Sequence, residues 1–234
     1  MTAAKRFYKQ VTVGAEGGKY RILLDGRPLR TPAKALLELP VEAAAEALAA
    51  EWRAQGDKVN PAQMPLTRLA NTAIDRISGN RNAVIDEICR YGASDLLCYR
   101  ADGPDALVAR QAAAWDGLLD WLAEAHAVRL AVTTGIVFIE QEAEDLARLR
   151  RIVEGFDDFT LVGLHTLTTI AGSCVIGLAV VAGRLSAPEA AALSSIDETF
   201  QAELWGEDAE MMARLRSRAA ELAAAAEFIG FFRA

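Results

Sequence analysis

The most constraining feature of this chain is the run from Phe159 to Gly183, twenty-five residues without one Asp, Glu, Lys or Arg. A run of that length without charge must be hidden from water, either in a bilayer or inside a protein core. A membrane-spanning helix needs about 20 mostly apolar residues, so the run is long enough to cross a bilayer. The alternative is a helical segment that other helices surround on all sides.

The composition and flanks of the run favour the buried alternative. It contains four Thr, four Gly, one Ser and His165, and it lacks the flanking Lys/Arg bias and aromatic residues that are typical of spanning helices. Ala171-Gly172-Ser173 is expected to break a helix, because Gly weakens a helix interior and Ser is a preferred N-cap. We therefore predict two short buried segments, Thr160–Ile170 and Val175–Ala182, and no membrane insertion.

The overall composition indicates an ordinary globular protein and argues against some kinds of partner. The chain has 234 residues, 52% hydrophobic and 24% charged, which is ordinary for a globular protein. Its net charge of −7 argues against nucleic acid, which requires a basic surface, and against anionic membranes. Cys89, Cys98 and Cys174 match no metal or redox spacing, so they are expected to be reduced, mostly buried thiols of a cytoplasmic protein.

The pattern along the chain predicts an α+β fold with two domains. A small N-terminal β-containing domain is expected over residues 1–80, and a larger all-α helical domain over residues 81–234. The N-terminal strand signals, separated by Gly17-Gly18 and by the hairpin dipeptide Asp25-Gly26, are at Phe7–Val13, Tyr20–Leu24, Arg27–Thr31 and Leu36–Leu39. Besides the charge-free run, helices are expected at Val41–Gln55, Leu66–Ser78, Arg81–Gly92, Pro104–Ala127, Ala143–Glu154, Ala187–Trp205 and Glu207–Ile229, and Leu130–Ile139 is expected to be extended.

Residue patterns that would indicate catalysis are mostly missing. The only two histidines, His126 and His165, lie far apart in sequence, and neither belongs to a zinc motif. No phosphate-binding loop or nucleophile-elbow motif is present, and Ser94 is expected to serve as a cap or turn residue. The acid pairs Asp157-Asp158 and Glu207-Asp208 are more typical of a solvated surface than of acid–base chemistry. We therefore expect no catalytic residues, no metal and no cofactor, with an enzyme that uses surface acids as a weaker alternative.

The predicted helix at Ala187–Trp205 carries the most informative pattern outside the charge-free run. One apolar stripe is expected to face the core, formed by Leu193, Ile196, Phe200 and Leu204. Glu203 lies at the rim of that stripe, whereas Trp205 lies off it, close to Glu198. A Trp beside acids at a helix end is typical of an interface anchor. The alternative is that Trp205 folds back beneath the next helix.

Several segments of the sequence together resemble one protein family. They are KRFYKQVTV, ILLDGRPLRTPAK, ALAAEWRAQGDKVNPAQMPLTRLANTAIDR, DLLCYRA and GRLSAPEAAALSSIDETFQAELWGED. The chain is similar over nearly its whole length to the assembly chaperones that bind the α subunit of the catalytic sector of F-type ATP synthase. Such proteins occur in mitochondria and in α-proteobacteria. Because MTAAKRFYKQVTV contains no presequence pattern, a bacterial cytoplasmic member is expected.

The resemblance implies a binding function without catalysis. Family members hold the unassembled α subunit, shield the surface that it will give to the β subunit, and release it into the hexamer. The family's functionally sensitive acid lies in a Gln-x-Glu-x-Trp-Gly motif, so Glu203 takes that role here. Glu207-Asp208-Ala209-Glu210-Met211 keeps the acids that follow this motif but lacks the His of many relatives.

The sequence thus predicts a client-binding site with the α subunit as partner and a protein that is monomeric when free. A general peptide- or nucleotide-binding module is the alternative function. The candidate client-binding residues are Glu198, Gln201, Glu203, Trp205, Gly206 and Glu207.

Overall fold

A computed structural model describes residues 5–233. The first four residues, which open the predicted N-terminal domain and the segment expected to lack a presequence, lie outside this range. The described chain has a small N-terminal sheet followed by a larger helical part, so the α+β prediction is confirmed.

The N-terminal sheet has four antiparallel strands around a central hairpin. These are β1 (Val11–Glu16), β2 (Lys19–Leu24), β3 (Arg27–Pro28) and β4 (Glu38–Leu39), with β2 pairing to all three others. Asp25 and Gly26 have φ of 48° and 78°, the left-handed conformation that a tight hairpin turn between β2 and β3 requires.

Three of the predicted strands are shorter than expected. The strand predicted from Phe7 begins only at Val11, because the amide groups of Lys9 and Gln10 donate to the Asp25 carboxylate instead of to a neighbouring strand. Strand β3 ends at Pro28, which has no amide hydrogen with which to continue a ladder, and β4 keeps two residues immediately before Pro40.

Ten α-helices make up most of the rest of residues 5–233. They are α1 (Glu42–Arg53), α2 (Pro65–Thr72), α3 (Ser78–Ala93), α4 (Asp105–His126), α5 (Ala143–Glu154), α6 (Asp158–Ala171), α7 (Cys174–Val181), α8 (Ala187–Leu193), α9 (Ile196–Trp205) and α10 (Ala209–Gly230). A π-helical turn at Ala73–Ile77 joins α2 to α3, which is kinked at Asn80. Within the predicted extended segment Leu130–Ile139 only β6 (Thr133–Thr134) is a strand, and it pairs in parallel with β5 (Tyr99–Arg100).

The charge-free run forms α6 and α7 at the centre of the helical part. Gly172 ends α6 with φ of 70°, and Ser173 caps α7 by accepting a hydrogen bond from the amide of Ile176 at 3.0 Å. Nearly every side chain of α7 is buried. The predicted break and the two buried segments are confirmed. Among the helices of residues 5–233, none is long and apolar enough to span a membrane.

Close packing against α10 explains one glycine of this run. A Cβ atom on Gly163 would lie 2.4 Å from Cγ1 of Ile229, closer than two carbon atoms can approach. Helix α10 also packs against α2, and the buried side chains form one cluster from Tyr8 to Ile229.

The domain boundary near residue 80 stays a prediction. The three cysteines are free thiols, with Cys98 and Cys174 buried, as the sequence predicts.

A buried carboxylate on Asp95 links the segment after α3 to the charge-free run by hydrogen bonds. Asp95 is fully buried, and it accepts hydrogen bonds from the amides of Leu97 and Val175, both at 3.1 Å. Burial raises the pKa of Asp95 from 3.8 to about 6, because desolvation disfavours the ionised form. As pH rises through this interval, the unfolded chain releases the proton before the folded chain does, so the folded state loses stability.

We expect this titration to be visible in the free energy of unfolding. Relative to Asp95→Asn, which cannot ionise, the wild type should lose about 2 kcal/mol between pH 4 and pH 7. Urea unfolding of both proteins at pH 4, 5, 6 and 7 measures the difference. Stability curves that run parallel over this pH range would show that the Asp95 carboxyl ionises normally in the folded protein.

The helix predicted at Ala187–Trp205 is instead two helices, and this prediction is wrong at its middle. The Ser195 hydroxyl donates to the carbonyl of Ala191 at 2.7 Å, and the backbone of Ser195 leaves the helical region with φ of −129°. Serine hydroxyls that bond back to the preceding turn compete with the helix ladder, which explains the break.

Candidate functional site

The most exposed part of the predicted site is the turn from α9 to α10, here called the α9–α10 corner and defined as Leu204–Asp208. Trp205 is 78% exposed, so its ring does not fold beneath α10. Gly206 ends α9 with φ of 93°, a conformation that other residues rarely adopt. The Asp208 side chain then caps α10 by accepting from the amide of Met211 at 3.0 Å. The corner therefore displays an indole ring on a turn that is fixed at both ends.

Leu204 was expected in the core, and the structure contradicts that expectation. Ile196 and Phe200 are buried as predicted, but Leu204 is 57% exposed. Leu204 lies in the last turn of α9, next to the exposed corner, so the stripe that is buried at Ile196 and Phe200 becomes exposed at its far end. Leu204 and Trp205 together form an exposed apolar pair.

Glu203 is held by an arginine from a distant part of the chain. Both carboxylate oxygens accept from the Arg110 guanidinium of α4, each at 2.8 Å. Arg110 in turn lies over the Phe200 ring, 5.1 Å from its centroid. The hydrogen bonds from Arg110 hold the pKa of Glu203 below its ordinary value, so the pair is ionised. This pair fastens the end of α9 to α4, immediately before the corner.

The remaining predicted residues divide between the corner and the body of α9. Gly206 and Glu207 lie in the corner, and Gln201 is exposed one turn before it. Glu198 lies two turns before Trp205, where its carboxylate accepts from Arg218 of α10 at 2.8 Å. Arg218 also donates to the Ser194 carbonyl at 3.2 Å, so Glu198 braces the α9–α10 packing.

The electrostatic surroundings of the corner are acidic. Glu207, Asp208 and Glu210 are all exposed. Among the ion pairs found within residues 5–233, Glu210 reaches Arg214 at 3.7 Å, and no pair includes Glu207 or Asp208. An apolar pair with an acidic border suits a protein surface whose apolar centre is flanked by basic groups.

The other acids and histidines considered from the sequence have structural contacts. Asp157 caps α6 by accepting from the amide of Phe159 at 2.8 Å, and Asp158 forms an ion pair with Arg81. The imidazole of His165 lies 3.0 Å from the Glu87 carboxylate, and His126 packs edge-on against Trp121. Over residues 5–233, His, Cys, Asp and Glu side chains form no group of three that could hold a metal ion.

Comparison with solved structures gives close matches over the full chain. Atp12 from Paracoccus denitrificans is 46% identical and superposes with a TM-score of 0.94, covering 98% of this chain and 99% of that one. A mutant of Paracoccus denitrificans Atp12p with one aspartate replaced by lysine matches with the same TM-score of 0.94. The Agrobacterium tumefaciens protein Atu1473 is 43% identical with a TM-score of 0.93, covering 97% of this chain and 86% of that one.

Sequence comparison leads to the same group of proteins. The mitochondrial protein atp12 of Schizosaccharomyces pombe is 26% identical over 215 residues, which cover 86% of this chain and 74% of that protein. The sequence profile described as "ATP12 chaperone protein" matches residues 5–123, from the start of the described chain into α4. The profile covers half of the sequence and the structural matches cover nearly all of it, so the chain belongs to the ATP12 chaperone family, a family of ATP synthase assembly chaperones.

Proposed function

We propose that this protein holds the unassembled α subunit of ATP synthase at the α9–α10 corner until the α subunit joins the β subunit. The function is binding without catalysis, by a protein that is monomeric when free and acts in the bacterial cytoplasm. The observation that carries the proposal is the 78% exposure of Trp205 beside the exposed Leu204. A large aromatic side chain in this position is available to a partner rather than to the core.

The physical demands on such a chaperone match what the corner offers. An unassembled subunit exposes a large intersubunit surface, and exposed apolar patches of that kind promote aggregation. A protein that covers it needs aromatic anchors and a complementary charge pattern. Trp is enriched among the few residues that dominate binding energy. The acids at Glu207 and Asp208 would meet basic groups on the client and raise the association rate.

Glu203 has a different role in this proposal from that of Trp205. Its carboxylate is already occupied by both guanidinium nitrogens of Arg110, so it acts as a positioning residue that fixes the direction of the corner. Replacing Glu203 with lysine would place two positive charges side by side and push the end of α9 away from α4.

A charge swap tests this role. We expect Glu203→Lys to bind the α subunit about tenfold more weakly, because like charges at Arg110 displace the corner. The double variant Glu203→Arg with Arg110→Glu restores the ion pair with reversed polarity and should recover most of the affinity. Light scattering of the α subunit diluted from denaturant measures protection, and far-UV circular dichroism of each variant checks the fold.

The outcomes separate the two roles of the acid. Full protection by Glu203→Lys would show that the α9–α10 corner is not the binding surface. If Glu203→Lys fails and the swap fails equally, Glu203 contacts the client directly instead of positioning the corner. Wild-type protein that gives no protection at an equimolar ratio would contradict the proposed function itself.

A further inference from the structure

A second exposed apolar element lies in the loop that follows β6. Ile136, Val137 and Phe138 are 101%, 66% and 71% exposed, although apolar residues in succession are normally buried. We call Gly135–Ile139 the apolar loop. Its three exposed side chains form, with the corner, most of the large apolar exposure found within residues 5–233.

The apolar loop is held in place at its base. Gln141 is buried, and its amide group accepts from the backbone N–H of Ala131 at 2.7 Å and donates to the carbonyl of the same residue at 2.9 Å. Gly135 has φ of 74° and donates its N–H to the Arg100 carbonyl at 2.8 Å. These hydrogen bonds hold the base of the loop on both sides and leave its tip exposed to solvent, which limits the entropy that a partner would have to overcome.

The apolar loop and the α9–α10 corner lie at the same end of the molecule. Helix α4 runs antiparallel to α8 and α9, since Trp115 donates to the Leu193 carbonyl at 3.0 Å while Arg110 pairs with Glu203. The end of α9 therefore lies beside the start of α4, and Arg110 is only about 8 Å along the helix from Asp105.

The apolar loop borders that same start of α4. A Cβ atom on Gly135 would lie 3.8 Å from the Asp102 carboxylate, three residues before α4 begins. Val108, in the first turns of α4, is a further exposed apolar side chain, at 37%. The apolar loop and the corner therefore both lie near the start of α4.

Acidic side chains border both the apolar loop and the corner. Asp102, Asp105 and Glu140 are exposed around the apolar loop, as Glu207 and Asp208 are at the corner. In the part of the chain that the structure describes, none of these five carboxylates belongs to an ion pair. Arg110, in the second turn of α4, is already paired with Glu203. The unpaired carboxylates beside the apolar loop and the corner are therefore negative charges that a basic partner could meet.

We propose that the apolar loop is a second docking element for the α subunit and binds the same client surface as the corner. The inference rests on the proposed function. The occupant is defined by chemistry as an apolar protein surface bordered by Lys and Arg side chains. A second copy of this chain is a poorer occupant, because a two-fold contact would bring the same acids together. An anionic lipid surface would be repelled in the same way.

Two phenylalanines of equal exposure provide a matched test. Phe138 and Phe7 are both 71% exposed, but Phe7 lies in the N-terminal part, where it packs edge-on against Tyr8. Tyr8 donates to the carbonyl of Trp52, whose neighbour Glu51 lies close enough to Glu227 for the two carboxylates to repel. Glu227 is about 28 Å along α10 from Asp208, so Phe7 marks the opposite end of the molecule from the corner.

We expect Phe138→Ser to weaken α-subunit binding about tenfold and Phe7→Ser to change it less than about twofold. The measurement is the Kd of the full-length variants for purified α subunit by calorimetry, with Trp205→Ala measured alongside. A photo-crosslinking phenylalanine analogue at position 138 should form a covalent adduct with the α subunit, and the same analogue at position 7 should form none.

The outcomes distinguish this inference from the proposed function. If wild-type protein does not bind the α subunit, both fail. If Trp205→Ala weakens binding while Phe138→Ser behaves like Phe7→Ser and position 138 gives no adduct, the inference is overturned and the proposed function survives. A dimer of this chain that Phe138→Ser dissociates, without a change in α-subunit affinity, would assign the apolar loop to self-association and also overturn the inference.

Discussion

Trp205→Ala should weaken binding of the α subunit by about 30- to 150-fold, the effect of losing a central Trp anchor of about 2–3 kcal/mol. The indole ring is 78% exposed in the free protein, so its apolar area is available to a partner. Because the ring makes little contact with the rest of the chain, the free energy of unfolding should change by less than about 0.5 kcal/mol. Calorimetric titration of the variant with purified α subunit measures the first effect, and urea unfolding measures the second.

Trp205→Phe is the control for this prediction. It keeps an apolar ring in the same place and should retain most of the affinity. If Trp205→Ala binds as tightly as the wild type, the α9–α10 corner is not the anchor. If Trp205→Ala loses both affinity and stability, the ring contributes to the fold. The loss of binding then cannot be assigned to a lost contact with the client.

Trp115→Ala should lower the stability of the fold instead of the affinity for the α subunit. The free energy of unfolding should fall by about 3–5 kcal/mol, the range for truncating a large buried aromatic side chain. Trp115 is 1% exposed, and its ring nitrogen donates to the Leu193 carbonyl at 3.0 Å where α8 ends. Arg100 lies over the ring, 5.1 Å from its centroid. The substitution removes this packing and leaves a carbonyl without its partner.

Replacing Trp with Ala at positions 115 and 205 therefore distinguishes a residue that stabilises the fold from one that binds the client. Urea unfolding should show a large shift for Trp115→Ala and almost none for Trp205→Ala. Below its unfolding transition, Trp115→Ala should still bind the α subunit within a few-fold of the wild type, since α4 does not present that ring to solvent. A wild-type unfolding midpoint for Trp115→Ala would mean that α8 and α9 are held against α4 by other contacts.

Local chemistry made the charge-free run predictable from sequence. Gly172 and Ser173 are adjacent residues whose backbone preferences specify a helix end and a helix start, whatever the rest of the fold does. The capping box at the start of α8, in which Ser186 and Glu189 each accept from the other's backbone amide, is local in the same way. Both features lie within a few residues, so a single sequence carries the whole signal.

The ion pair at the candidate site depends on contacts that no local pattern contains. Glu203 and Arg110 are 93 residues apart, and nothing in either segment specifies the other. The Ser194-Ser195 break arises from side-chain hydrogen bonds within an otherwise regular helical pattern. Leu204 was misplaced because the local pattern does not show where packing against α9 ends.

The exposure of the apolar loop was not predicted from the sequence, for a different reason. Consecutive apolar residues such as Ile136, Val137 and Phe138 ordinarily indicate burial, so their exposure becomes visible only in three dimensions. The signal that could have indicated a loop is Gly135, which interrupts the run after two β-branched threonines. A functional surface of this kind violates the local rule that usually places such residues inside.

Selective formation of a complex with the α subunit is the most direct test of the proposed function. Purified full-length protein should be mixed separately with unassembled α subunit and unassembled β subunit and examined by sedimentation velocity. We expect one equimolar complex with the α subunit, loss of that complex in Trp205→Ala, and no complex with the β subunit. A complex with neither subunit, or one with the α subunit that Trp205→Ala leaves intact, would contradict the assignment of the α9–α10 corner as the client-binding site.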